Sequence, residues 1–112
     1  MRREALKLLW DMENAADSVV EFLAGKTFED YRQSKLLRSG VERQLFIIGE
    51  ALSQLSRFDE PLADSFQDRH QIVGFRNRLA HGYSDLIDER VYDIALNDIP
   101  ALSKHIQHLL NS

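Results

Sequence analysis

Apolar side chains recur every three or four residues along most of the chain, and this spacing constrains the fold more than any other feature. The first such stretch spans residues 2–24, one predicted amphipathic helix whose apolar side comprises Leu6, Leu9, Met12, Ala16, Val19, Val20 and Leu23. Trp10 and Phe22 lie beside this seam, where they either widen the core or cover a partner surface. Gly25 follows as the predicted C′ residue, a position where a left-handed backbone favours glycine.

A second helix is predicted to begin after Thr27, whose hydroxyl can cap the first turn, with Glu29 and Asp30 at the positive end of the helix dipole. Its apolar side comprises Leu36, Leu37, Val41, Leu45, Ile48, Leu52 and Leu55. Gly49 lies inside this helix, where glycine costs roughly 1 kcal/mol relative to alanine. Gly49 therefore indicates either the close approach of another backbone or a tolerated weak point.

Shorter elements follow in the second half of the chain. Residues 59–68 contain a proline and several acids and predict a loop with at most one helical turn. A third helix is predicted at about 69–81, and a fourth after Asp88 as its N-cap. Pro100 should break or kink that fourth helix, because proline lacks the amide donor. A final helical piece is expected to bury Leu102, Ile106, Leu109 and Leu110.

Together these elements predict an all-α protein, an antiparallel up-and-down bundle of four to five helices. No stretch alternates as a β-strand does. At 112 residues the chain can form one hydrophobic core, so we expect residues 1–112 to be a single domain. Apolar residues make up 44% of it, which argues against disorder.

Several features bear on where the protein acts. The chain contains no cysteine, which excludes disulfides and thiolate metal sites and suits a reducing cytoplasm. Its first residues mix charge into their apolar run, unlike a secretory signal. No window approaches the ~20 apolar residues that a membrane helix needs. We therefore expect a soluble cytoplasmic protein without membrane association.

The net charge of −4 argues against a protein that coats nucleic acid through bulk electrostatics. Locally, however, Arg69, Arg76 and Arg78 fall in a stretch without acids and give a charge of about +3. This patch can hold a phosphate at one spot. Alternatively it is a solvated helix face balanced by Asp68 and Asp85, and charge alone favours that reading.

Residues 76–83, Arg-Asn-Arg-Leu-Ala-His-Gly-Tyr, concentrate polar side chains with catalytic potential. Asn77 and Arg78 lie four and three residues before His81, so each shares a helix face with it. Arg76 is five residues before His81 and can converge with it only because arginine is long and the helix ends there. The negative end of the helix dipole favours the imidazolium form of His81, which suits a general acid or base.

This combination suits cleavage of an RNA phosphodiester bond. Arg76 offers a planar, permanently charged fork for phosphate oxygens, and His81 offers proton transfer, typically worth about 10²–10⁴ in rate. No metal or cofactor is required or indicated. One histidine per chain supplies an acid or a base, and a two-fold dimer supplies both. On spacing alone, a histidine near a helix end is more often a cap or a surface residue than a catalyst.

The same residues carry a family resemblance. Arg76-Asn77-x-x-x-His81 is similar to the Arg-polar-x-x-x-His signature of HEPN-superfamily ribonucleases. With Tyr83 the stretch resembles the longer Arg-x4-His-x-Tyr pattern of HepT-like toxins. The similarity covers essentially the whole chain, including weaker matches at 25–27, 47–51 and 98–102.

The resemblance implies an all-α, RNA-cleaving toxin that dimerises and places two Arg–His motifs in an interface cleft. It also implies a partner, a minimal nucleotidyltransferase antitoxin that can adenylylate Tyr83. An added AMP would oppose Arg76 by charge and block access to it. For Tyr83, residue type alone favours a ring packed after the helix with its hydroxyl in water. Two alternative functions stay open: a non-catalytic HEPN module that presents substrate or nucleotide to a nucleotidyltransferase, and a dimeric interaction protein.

On this basis we assign Arg76, His81 and Asn77 to the catalytic site, with Asn77 in a supporting role. Arg78 either adds a phosphate contact or pairs with Asp85 or Asp88. Glu50 either orients a residue of the motif or faces solvent. We assign neither of them a catalytic role.

Overall fold

The computed structural model describes residues 1–80 and 87–111, and every regular element in these ranges is helical. The α-helices are α1 (Arg3–Leu23), α2 (Phe28–Gln33), α3 (Lys35–Phe58), α4 (Glu60–Asp64), α5 (Arg69–Ala80), α6 (Asp88–Asp93) and α7 (Ile99–Leu110). A π-helical turn, Ile94–Asp98, joins α6 to α7 without interruption. The result is four long helical rods with two short helices, which confirms the predicted all-α class.

The rods pack side by side in the order α7, α1, α3, α5. Helices α1 and α3 run antiparallel along their whole length. The guanidinium of Arg2 donates to the carbonyl of Phe58 (3.3 Å) at one end, and the ring of Phe22 lies against Gly40 at the other. Among the described residues, no helix is long and apolar enough to cross a membrane.

The apolar spacing locates the core correctly at most positions. The fully buried large side chains of the rods come from α1, α3 and the last rod, and they include Leu9, Met12, Val19, Ile48, Leu52, Leu55, Val91, Ile99 and Ile106, whereas α5 adds Ile72 and Phe75 at 7% and 6% exposure. The prediction is wrong at Val20 and Leu36, which are 47% and 86% exposed. Leu36 precedes the buried Val41 by five residues, about 140° round the helix, and so lies far from the packed side. Trp10 and Phe22 are also outside the core.

The predicted second helix is divided in two at Ser34. The backbone of Ser34 is extended (φ −106°, ψ 104°), and its hydroxyl accepts a hydrogen bond from the amide of Leu37 (3.0 Å), which caps α3. The predicted cap at Thr27 is confirmed as a reciprocal box, in which Thr27 and Asp30 bond each other's backbone amide (3.1 and 3.0 Å). Gly25 has the predicted left-handed backbone, with φ +72°.

The structure also decides two predictions for the second half of the chain. The predicted loop with one helical turn is confirmed as α4, capped by Asp59. The predicted N-cap at Asp88 is wrong, because Asp88 already lies in the first turn of α6 and Ile87 precedes it without a side-chain cap.

Pro100 distorts the last rod as predicted. The turn before it widens, so that the amide of Ile99 bonds the carbonyl of Ile94. This geometry suits proline, which lacks an amide donor and whose ring clashes with the carbonyl four residues earlier. Beyond it, Leu102 and Ile106 are buried as predicted, whereas Leu109 and Leu110 are half-buried.

Candidate functional site

Helix α5 packs against α3 at Gly49, where no side chain can be accommodated. A Cβ atom at Gly49 would lie 2.4 Å from Cβ of Arg76 and 3.1 Å from the carbonyl oxygen of Ile72. Contacts that short do not occur between real carbon atoms, so glycine is required for this crossing. Of the two alternatives for Gly49, the structure shows the close approach of another helix, and the nearest residue is Arg76 itself.

The guanidinium of Arg76 is paired with the residue that follows Gly49. Nη1 of Arg76 lies 3.4 Å from Oε2 of Glu50, and their side chains are 22% and 40% exposed. Gln54 donates to the other carboxylate oxygen of Glu50 (3.2 Å). A partly exposed pair contributes at most about 1 kcal/mol, so its main effect is on the direction of the arginine. Of the two alternatives for Glu50, the structure favours contact with the motif.

Arg76 also keeps hydrogen-bonding capacity that the described part of the fold does not use. Its Nε is buried and has no hydrogen-bond partner there. A buried donor without an acceptor is uncommon and costly, and a role in binding or catalysis is one explanation for it. Glu13 Oε2 and Tyr31 Oη, away from this crossing, are in the same situation. Glu50 lines a groove of about 360 Å³ between α1 and α3, so the pair borders a surface depression.

The predicted three-arginine patch is not one continuous positive surface. Arg69, in the first turn of α5, pairs with Glu60 (2.7 Å) and Asp64 of α4. The hydrogen bond to Glu60, with the charges of both acids, raises the pKa of Arg69. The acids that balance the charge of Arg69 are therefore those of α4 and not Asp68. Arg76 therefore differs from Arg69 in having a single, longer ion pair among the described residues.

The other predicted site residues divide into two groups. Asn77 is exposed and Arg78 is half-buried, both in the last turns of α5. His81 and Tyr83 lie outside the described residues, directly after α5 in the sequence. The convergence of Arg76 with His81 thus stays a prediction from the sequence.

Metal-ligating side chains do not form a cluster of three or more within residues 1–80 and 87–111. A groove of about 710 Å³, larger than the one beside Glu50, is lined by Phe22, Lys26, Leu36 and their neighbours at one end of α1. Of the predicted site residues that the structure describes, Arg76, Asn77 and Arg78, none lines it. We therefore place the candidate site at the crossing of α3 and α5, where Arg76 is tightly packed and paired, and not in the groove at the end of α1.

Comparison with known proteins gives concordant results. Residues 12–109 match a family model described as "Ribonuclease HepT-like". A protein of Methanocaldococcus jannaschii is 28% identical over 112 residues, which cover 95% of this chain and 96% of the relative. A protein of Caldanaerobacter subterraneus subsp. tengcongensis is 29% identical over 98 residues, covering 82% of this chain and 81% of the relative. Both relatives carry the name "Putative RNase". No solved structure matches the chain.

Proposed function

Because the chain belongs to the HepT-like ribonuclease family, we propose that it is a toxin that cleaves RNA as a homodimer without a metal ion. Arg76, His81 and Asn77 form its catalytic site. The observation that carries this proposal is the position of Arg76, whose Cβ and Cγ atoms pack on Gly49 and whose guanidinium is held by Glu50. An arginine oriented in this way is prepared for a phosphate before substrate arrives.

The proposed reaction assigns each group one task. His81 of one chain removes the proton of a ribose 2′-hydroxyl, and the 2′-oxygen attacks the adjacent phosphorus. Arg76 stabilises the charge of the pentacoordinate phosphate. As the bond to the 5′-oxygen breaks, His81 of the second chain gives that oxygen a proton. The products are a 2′,3′-cyclic phosphate and a 5′-hydroxyl, and no other reactant is consumed.

Neighbouring residues support this centre. Glu50 fixes the direction of Arg76 from the α3 side. Asn77 is exposed one residue along α5, where it can reach substrate or the second chain. Arg78 adds a phosphate contact. The dimer is part of the proposal because the reaction needs an acid and a base, whereas each chain contributes one His81.

We further propose that a minimal nucleotidyltransferase antitoxin controls the toxin in the cytoplasm. Its target is Tyr83, two residues after His81. The nucleotidyltransferase transfers AMP from ATP to that hydroxyl and releases pyrophosphate. The added phosphate neutralises the charge of Arg76 and occupies the space of the substrate phosphate.

The test is cleavage of a short RNA by the purified chain in the presence of excess EDTA. We expect cleavage with cyclic-phosphate ends, and a loss of at least about 100-fold in Arg76→Ala and in His81→Ala. Arg57→Ala is the matched control, because Arg57 is exposed near the far end of α3. Undiminished cleavage in both site variants would overturn the assignment. If the chain does not cleave but binds a nucleotidyltransferase stably, it is a non-catalytic partner module.

A further inference from the structure

The outer side of α3 carries an arginine stacked on an aromatic ring. Cζ of Arg43 lies 5.6 Å from the centre of the Phe46 ring, within the range of a cation–π contact. Arg43 is exposed and Phe46 is half-buried. Since the two residues are three apart, they share one face of the helix. The spacing of an arginine three residues before a phenylalanine could have indicated this pair from the sequence alone.

A second pair of the same kind shows what is distinctive about Arg43. Cζ of Arg2 also lies 5.6 Å from the centre of the Phe58 ring. Arg2, however, is 3.6 Å from Glu4 and donates to the carbonyl of Phe58, so its guanidinium is engaged by the protein. No carboxylate of the described residues lies within ion-pair distance of Arg43, so in that part of the chain its charge is not balanced by an ion pair.

Arg43 and Phe46 lie on a ridge between two grooves and line both of them. The groove towards α1, about 360 Å³, contains four uncharged polar side chains, Asn14, Ser18, Gln44 and Gln54, beside five apolar residues and the charged Asp11, Arg43 and Glu50. Uncharged polar groups bond the edges of nucleobases. The groove towards α5, about 330 Å³, contains Glu42, whose pKa is raised by burial and then by Asp88.

The ridge continues directly to the arginine of the candidate site. Phe46 precedes Glu50 by four residues, one helical turn or about 6 Å along the axis. Glu50 in turn pairs with Arg76. Because residues four apart share a helix face, the ridge and the pair of Glu50 with Arg76 lie next to each other on α3.

We propose that Arg43 and Phe46 form a subsite for one base of single-stranded RNA, next to the nucleotide whose phosphate Arg76 holds. The base stacks on the outer face of the guanidinium, which is itself supported by the phenyl ring. Such stacking tolerates different bases, because every base has a π-face. One local subsite also suits a protein of net charge −4, which has no bulk attraction for RNA. This inference rests on the proposed function.

The experiment measures the affinity of a fluorescently labelled hexa-adenylate RNA by anisotropy, in a His81→Ala background so that the probe stays intact. Phe46→Leu and Arg43→Gln should each weaken binding at least about fivefold, the lower end of stacking contributions. Phe46→Trp should keep wild-type affinity, since it restores an aromatic face. Thermal unfolding of each variant confirms that it is folded.

Matched controls come from the second pair and from the same helix. Arg2→Gln and Phe58→Leu alter an equivalent cation–π contact, and Arg57→Gln removes one charge from α3. All three should bind within about twofold of the background protein. Equal weakening in controls and test variants would overturn the proposal in favour of general electrostatics.

Further results of these experiments would refute the RNA subsite. If Phe46→Leu binds as well as the background, or Phe46→Trp as poorly as Phe46→Leu, the subsite is refuted. If the test variants become monomeric on a sizing column, the ridge is an interface between two chains instead. Cleavage by the wild-type chain is scored separately. Cleavage without the binding pattern refutes only the subsite, and the binding pattern without cleavage refutes only the ribonuclease proposal.

Discussion

The position of Arg76 depends on a residue without a side chain. Gly49 lets α5 come so close to α3 that Cβ of Arg76 occupies the place of a Gly49 side chain. The sequence could predict part of this, because a glycine inside a long helix is costly and needs a reason. It could not identify the neighbour, since the register between two helices depends on the packing of the whole bundle.

We predict that Gly49→Ala moves Arg76 and weakens the fold. Two Cβ atoms 2.4 Å apart cannot coexist, so the helices must separate. The free energy of unfolding should fall by about 1–3 kcal/mol, the usual cost of overpacking. RNA cleavage should fall at least tenfold, since a small displacement at a catalytic group is expensive.

Gly74→Ala, in α5, is the matched control. No atom lies within 4 Å of a Cβ built there. The change should therefore raise the free energy of unfolding, by at most about 1 kcal/mol, because alanine favours the helix more than glycine does. Denaturant unfolding and cleavage assays measure both variants. Equal stability and activity in the two would contradict the role assigned to Gly49.

Among the elements, helix existence was easier to predict than helix ends. The three-and-four spacing identified all four rods, and Pro100 correctly marked the distorted turn. The break at Ser34 was missed because the apolar side assigned to that helix begins at Leu36, so the spacing did not test the residues before Ser34. Serine is a favoured cap, and that signal was available. The pairing of Arg69 with α4 could not be foreseen, because it depends on how a short helix folds beside α5.

At this scale we predict that Ser34→Ala destabilises the start of α3. The hydroxyl of Ser34 satisfies the amide of Leu37, and loss of such a cap typically costs about 1 kcal/mol. Ser39→Ala is the control, because Ser39 is exposed inside the same helix, where alanine is favourable. Thermal unfolding should show a lower Tm for Ser34→Ala alone. An unchanged Tm would show that the cap is dispensable.

For the whole molecule, the fold class followed from the sequence, whereas the completeness of the site did not. Each chain contributes one Arg76, which lies on α5 at the edge of the bundle. Glu50 holds its guanidinium and also lines the neighbouring groove. The chain matches its family over residues 12–109, so this arrangement belongs to the body of the fold and not to an appendage. The central claim is that two such chains together cleave RNA.

That claim is tested most directly by mixing wild-type chains with His81→Ala chains. The two are unfolded together, refolded to random dimers, and assayed for RNA cleavage at constant total concentration. If each site needs His81 from both chains, only pure wild-type dimers are active, and an equal mixture keeps a quarter of full activity. An equal mixture that keeps half of the activity would contradict the account, because each chain would then act alone.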